Sequence, residues 1–138
     1  IVVSANIIPN LRYEDAPAAI DWLCRAFGFE RHLVVQDERG VIVHAQLVFE
    51  GGMIMLAAEE DTPFGKLQKT PHAVGGVVTQ SPYIIVRDVD AHCERAVSAG
   101  ATIVLQPVDQ DYGGRGYSCT DPEGYLWNFG SYDPWDEA

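Results

Sequence analysis

The strongest constraint on how this chain can fold is a repeat. Glycines, prolines and capping acids recur in the same order at nearly one spacing. Gly28 and Gly100 lie 72 residues apart, as do Gly52 and Gly124. Pro9 and Pro82, and Asp15 and Asp88, lie 73 apart. A single gap inside the helical stretch accounts for the one-residue difference. Chance could supply one such pair, but four in order, with like-patterned segments between them, mark an internal duplication. Each copy must then fold as the same strand–helix–three-strand unit.

In the first copy, about residues 5–58, the extended stretch Ala5–Tyr13 is broken by Pro9. A helix is expected over Pro17–Phe27, with Asp15 as its cap and Pro17 in the first turn, where a missing N–H costs nothing. Ile20, Leu23, Cys24 and Phe27 recur at helical spacing and form one apolar face. Gly28 supplies the positive φ that ends a helix. Strands are expected at Glu30–Asp37, Val41–Glu50 and Met53–Ala58, joined by Asp37-Glu38-Arg39-Gly40 and Gly51-Gly52 turns. The second copy, about residues 81–132, reads as a strand at Pro82–Arg87 and a helix over Val89–Ala99 stopped by Gly100. Strands at Thr102–Gln106, Gly116–Thr120 and Tyr125–Gly130 complete it. The intervening segment 59–80, rich in Gly, Thr and Pro, is too long for a tight connection and should cross between modules or form a flap. The whole, residues 1–138, reads as one α+β domain of two βαβββ modules.

Composition removes several function classes. Twenty acidic against nine basic residues give a formal net charge of −11, which repels a phosphate backbone and argues against a nucleic-acid partner. No apolar run is long enough for a membrane-spanning helix, so no membrane partner is expected. Cys24, Cys93 and Cys119 are odd in number and form no short-spaced pair, as expected of reduced thiols in a cytoplasmic protein. The Gly113-Gly114-Arg115-Gly116 stretch is not a phosphate loop, because no helix follows it.

Several features resemble the vicinal oxygen chelate superfamily, the group of glyoxalase I, fosfomycin-resistance thioltransferases, extradiol dioxygenases and bleomycin-resistance binding proteins. These are the element order, the Ala26-Phe27-Gly28 helix end, Val86-Arg87-Asp88-Val89-Asp90, and Asp121-Pro122-Glu123-Gly124-Tyr125-Leu126-Trp127. The resemblance runs over nearly the whole chain. It implies two βαβββ modules whose mixed sheets curve around a cleft, with the helices on the outer face. It also implies a divalent metal held from the first and last strands of the modules. Those positions carry over to Ile8, Leu56, Ser81 and Asn128. Ile and Leu cannot coordinate a metal, and Ser and Asn are weak neutral ligands. No metal and no other cofactor is therefore expected.

Strand alternation selects what lines the emptied cleft. On the last strand Leu126 shares the face of Asn128, while Tyr125, Trp127 and Phe129 pack under a helix. On the third strand the apolar set Ala45, Leu47 and Phe49 turns to the helix, leaving His44 and Gln46 toward the cleft or solvent. Asn10 and Arg12 share the face of Ile8, and Tyr83 that of Ser81. The expected ligand-binding set is thus Asn10, Arg12, His44, Gln46, Leu56, Tyr83 and Asn128. The loop aromatics Phe64, Tyr112, Tyr132 and Trp135 could extend it by stacking planar groups. Arg12 and Arg115 are candidates for an anionic group, and His32 and His92 read as surface residues. The leading expectation is a metal-independent binding protein, acting as a homodimer, for a planar or cationic small molecule such as an antibiotic. The alternative is an isomerase or lyase that uses His44 as acid or base with Tyr83 or Arg12, or one with a metal at other positions. Whether the modules pair within one chain or across a dimer stays open, because both satisfy the same strand pattern.

Overall fold

A computed structural model describes residues 4–136. The first module contains β1 (Asn10–Tyr13), α1 (Ala16–Phe27), β2 (Glu30–Gln36), β3 (Ile42–Phe49) and β4 (Gly52–Ala58). Two short 3-10 turns, Gly65–Leu67 and Pro71–Val74, lie in the connecting segment. The second module contains β5 (Tyr83–Ile85), α2 (Val89–Ser98), β6 (Thr102–Asp109), β7 (Arg115–Thr120) and β8 (Leu126–Gly130). The strand order is β1-β4-β3-β2 in one sheet and β5-β8-β7-β6 in the other. In each, the first strand is parallel to the last and the other pairs are antiparallel. The duplication thus appears as two mixed four-stranded sheets, which do not close on one another. No helix among the described residues is long and apolar enough to cross a membrane.

The punctuation read from the sequence works as its chemistry requires. Asp15 accepts the Ala18 N–H at 3.1 Å at the start of α1, and Asp88 accepts that of Ala91 at 3.1 Å at the start of α2. Gly28 ends α1 at φ 88°, a conformation only glycine takes without strain. The first strand is shorter than expected, because its ladder partners begin only at Asn10. β6 runs three residues beyond Gln106, with register shifts that accommodate Pro107 at the sheet edge.

One face of each sheet packs into a single core shared by both modules. Leu23, Phe27, Leu47, Leu56, Cys119, Trp127 and Phe129 are all at most 1% exposed. The helices pack on each other, and each module stops the other's helix. Trp22 Nε1 of α1 donates to the Ala99 carbonyl at the end of α2 at 2.7 Å. From α2, Arg95 donates to the carbonyls of Arg25 (2.8 Å) and Cys24 (3.2 Å) at the end of α1. The bonds to Ala99 and Arg25 satisfy carbonyls at the helix ends, the Cys24 carbonyl is shared with the capping Gly28 N–H, and Arg95 places a cation at the negative end of the helix dipole. At the opposite end Glu123 accepts the Glu14 and Asp15 N–H groups at 2.6 and 2.9 Å.

The connecting segment is tied down rather than loose. Thr70 is fully buried and donates to Glu14 Oε1 at 3.1 Å, while buried Pro71 sits against Gly124.

Candidate functional site

The face of each sheet turned away from the helices is open. Directly opposed residues share a face, so the registers define both surfaces. On the first sheet Asn10 and Gln46 each face Met55, Leu33 faces Gln46, and Val35 faces His44. Leu33 and Val35 are 45% and 39% exposed. On the second sheet Tyr83 and Ser118 each face Asn128, and Leu105, 61% exposed, faces Ser118. Apolar side chains left open beside polar ones on both sheets are more than a self-contained surface needs.

Asn10, His44 and Gln46 share the first face, as expected. The Gln46 amide nitrogen lies 3.0 Å from His44 Nε2, a contact that fixes the ring if the proton sits on Nδ1.

Arg12 corrects one expectation. Its guanidinium donates to the Ala58 carbonyl (3.1 Å), Gln68 Oε1 (3.3 Å) and Glu60 Oε1 (3.1 Å). It is a strut that holds the connecting segment against β1, not a free cation for a ligand.

Leu56 corrects another. It is fully buried and faces Ala45 and Leu11, both core residues. Both parallel ladders pair residues 45 apart, Asn10 with Met55 and Tyr83 with Asn128. Met55 is therefore the counterpart of Asn128. The sequence offset fails here because the hairpins differ: two residues separate Phe49 from Gly52, but five separate Thr120 from Leu126. A slip of one residue moves a side chain to the opposite face.

Asn128 sits on the second face as expected, with its amide fully engaged. It donates to Ser81 Oγ (2.8 Å) and the Pro82 carbonyl (3.0 Å) and accepts from Ser118 Oγ (2.7 Å). Tyr83 lies beside it and donates to the Tyr132 carbonyl at 2.6 Å. Tyr112 is 63% exposed and meets Tyr132 edge to face at 5.0 Å. Phe64 and Trp135, 57% and 88% exposed, make no ring contact with either face among the described residues. The candidates that lie on the open faces thus fall into two groups, one per sheet. No hydrogen bond or ring contact joins Asn10, His44 or Gln46 to Tyr83, Ser118 or Asn128 among the described residues.

The metal positions do not fit a divalent cation. Ile8 and Met55 offer no hard donor, and Ser81 and Asn128 are neutral and bonded to each other. Among the described residues no three His, Cys, Asp or Glu side chains come together as a ligand set. Two surface depressions lie on the helix side instead. One, of about 540 Å³, lies between α2 and β6 and is lined by Asp90, Cys93 and Arg115. There Arg115 pairs with Asp90 (3.0 Å) and Asp109 (3.3 Å), so it too is committed. The other, of about 450 Å³, lies between α1 and the Asp121–Glu123 turn.

His92, expected at the surface, instead packs between the two modules. It donates from Nε2 to the Phe27 carbonyl (2.9 Å) and accepts at Nδ1 from the Tyr117 hydroxyl (2.6 Å), among Phe27, Phe49, Phe129 and Tyr117. Its place three residues after Val89 and four before Ala96, both buried, was the helical signal for this position. Burial lowers its pKa, and Arg95 adds to this against the opposing pull of the Phe27 carbonyl. A histidine pKa depressed by folding gives stability that is present above the ordinary value near 6.5 and lost as pH falls toward the folded value. The urea midpoint of the wild type should therefore drop on acidification below about 6.5. In His92→Gln that part of the drop should vanish, and equal pH profiles for the two proteins would refute the assignment.

Comparison with known proteins agrees with this architecture. The family model described as Glyoxalase/Bleomycin resistance protein/Dioxygenase superfamily matches residues 6–129. An uncharacterized protein of Mycobacterium bovis is 35% identical over 130 residues, which cover 94% of this chain and 85% of that one. The crystal structure of TioX from Micromonospora sp. ML1 superposes with a TM-score of 0.73 at 35% identity, covering 92% of this chain and 98% of that one. The fosfomycin resistance protein FosX from Listeria monocytogenes, solved with manganese(II) and 1S,2S-dihydroxypropylphosphonic acid, superposes with a TM-score of 0.67. At 16% identity, covering 96% of this chain and 93% of that one, it shares the fold alone.

Proposed function

The chain belongs to the glyoxalase/bleomycin resistance protein/dioxygenase superfamily, and from that premise we propose that it is a metal-independent small-molecule-binding protein. It resembles the antibiotic-sequestering members and takes a planar or cationic ligand. The supporting observation is the pair of open sheet faces, where apolar walls surround a few polar groups and no metal-ligand set is present among the described residues. Neither face is closed by the chain's own elements, so a homodimer in which a face of one copy meets a face of another makes the cleft. Asn10, His44, Gln46, Tyr83 and Asn128 line it, and Phe64, Tyr112 and Trp135 extend its rim. Three free cysteines suit a cytoplasmic site of action.

The test is titration with bleomycin-type and quinoxaline-type ligands, followed by tryptophan fluorescence. Trp22 and Trp127 are buried and shielded from contact with a ligand, so quenching reports chiefly on the exposed Trp135. Saturable quenching at one ligand per cleft, in a sample whose molar mass is that of a dimer, is the expected result. An unchanged signal across the panel would count against binding, and a monomeric mass against the shared cleft.

A second reading is an isomerase or lyase with His44 as acid or base, favoured by the Gln46 contact that orients its ring. Full biological activity in His44→Ala would remove it. Stoichiometric zinc, nickel, manganese or iron in protein purified without chelator would overturn the metal-independent reading.

A further inference from the structure

The second open face ends in a group of aromatic rings. Tyr83 and Tyr132 are 42% and 37% exposed, and Tyr112 is more open still. Glycines let the rings gather. At Gly114, φ +73°, a Cβ would stand 2.6 Å from the Tyr132 backbone nitrogen, and at Gly130 one would stand 2.7 Å from the Tyr83 hydroxyl. Gly114 therefore leaves room for the tail after β8, and Gly130 leaves room for the Tyr83 ring. The Tyr83 hydroxyl then fastens it through the Tyr132 carbonyl at 2.6 Å. The result is two perpendicular rings, Tyr112 and Tyr132 (82° between planes), with Tyr83 alongside.

The charge around these rings is negative. The exposed Asp133 follows Tyr132 directly, and its carboxylate accepts the Trp135 N–H at 2.9 Å, which folds the tail into a turn. Its charge reaches the Tyr83 hydroxyl, whose pKa is raised chiefly by burial, then by Tyr112 and Asp133. The neighbouring cation, Arg115, is turned to the helix side and neutralised there by Asp90 and Asp109. Open π faces beside a carboxylate attract a positive group too weakly hydrated to prefer water.

We propose that Tyr83, Tyr112, Tyr132 and Asp133 form a recognition site for an alkylammonium group carried by a small-molecule ligand. The inference rests on the ligand-binding reading above and narrows it. The rings hold the cation by their negative faces and Asp133 supplies the long-range attraction. Neutral planar ligands gain the stacking but not the charge term. Ring faces select methylated or tertiary ammonium groups over a bare ammonium, whose hydration shell is costlier to remove.

Choline and its neutral isostere 3,3-dimethyl-1-butanol separate the charge term from shape, with binding read by NMR from the tyrosine ring resonances. Choline should shift the Tyr112 and Tyr132 signals saturably, and the isostere should bind about tenfold more weakly. Tyr112→Leu should weaken choline about fivefold or more, while Tyr112→Phe keeps it. Tyr112 is an exposed turn residue, so neither change threatens the fold. Equal binding of choline and the isostere, linear unsaturable shifts, or unaltered choline binding by Tyr112→Leu would each overturn the site. If choline fails while the bleomycin-type and quinoxaline-type panel still quenches Trp135, the cation site falls and the broader reading stands. If choline binds and the panel fails, the site stands and the antibiotic-type reading falls.

Discussion

Replacing Phe27 by alanine should lower the free energy of unfolding by about 3–5 kcal/mol, in one transition that takes both modules. Phe27 is 1% exposed and ends α1 in the first module. Its ring lies 5.0 Å from Trp22, 5.3 Å from Trp127, 4.7 Å from Phe129 and 6.0 Å from His92. Three of those four neighbours belong to the second module. Truncation removes the transfer energy of a large side chain and leaves a hole that interlocked rings cannot readily fill. Set against a usual total of about 5–15 kcal/mol, the loss is large enough to move a urea midpoint far. Unfolding followed by far-ultraviolet circular dichroism and by tryptophan fluorescence should give coincident curves. A loss under about 1 kcal/mol would show that the rings collapse into the space. Two separate transitions would show that the modules fold independently.

Asp121→Ala should be of similar size, about 3–5 kcal/mol, for a different reason. The Asp121 carboxylate is 5% exposed and accepts the Tyr13 hydroxyl (2.7 Å) and Trp127 Nε1 (3.1 Å) on one oxygen. The other oxygen accepts the Glu123 and Tyr125 N–H groups at 2.9 and 3.1 Å. Burial pushes its pKa above the ordinary carboxylate range, and the four donors pull against that shift. Burial and the adjacent carboxylate likewise raise Tyr13. Alanine leaves four donors without a partner in a place water reaches poorly, and each orphan carries its own desolvation cost. Asp121→Asn should cost less, because its amide oxygen can still close the turn, though its NH₂ then opposes the Trp127 N–H. Chemical denaturation of the two variants checks the order, and an alanine variant no weaker than the asparagine one would refute this role for the network.

The depth of this network was only half legible. The Asp-Pro-x-Gly turn before a last strand, and Trp127 as core, were expected from the family resemblance combined with strand alternation. That the carboxylate reaches across to Tyr13, 108 residues away, depends on how the two modules meet. His92 failed for the same reason. Nothing local in its helix shows that the carbonyl end of the first module's helix accepts its proton. Arg12 kept its predicted face but lost its predicted task, because Gln68 and Glu60 of the connecting segment, with the Ala58 carbonyl at the end of β4, each take one of its guanidinium nitrogens. Leu56 was placed by an offset between glycines, and glycine positions in turns record loop length as well as register. In contrast, Asn10, His44, Gln46, Tyr83 and Asn128 lie on the faces that alternation assigned them, since a period of two needs no knowledge of distant contacts.

The sequence by itself determined the two βαβββ modules, the capping aspartates, the glycine helix stops and which residues share a face on the first, third, fifth and last strands. All of these follow from interactions within a few residues or from a repeated apolar period. Only the tertiary structure decided the rest. It left the sheets as two separate open faces and divided the candidate site between them. It bound Arg12 and Asn128 to partners of their own and laid Tyr132 of the tail over Gly114 and Tyr83 over Gly130. Those outcomes depend on which distant groups compete for each donor, acceptor and ring, and local sequence carries no record of that competition.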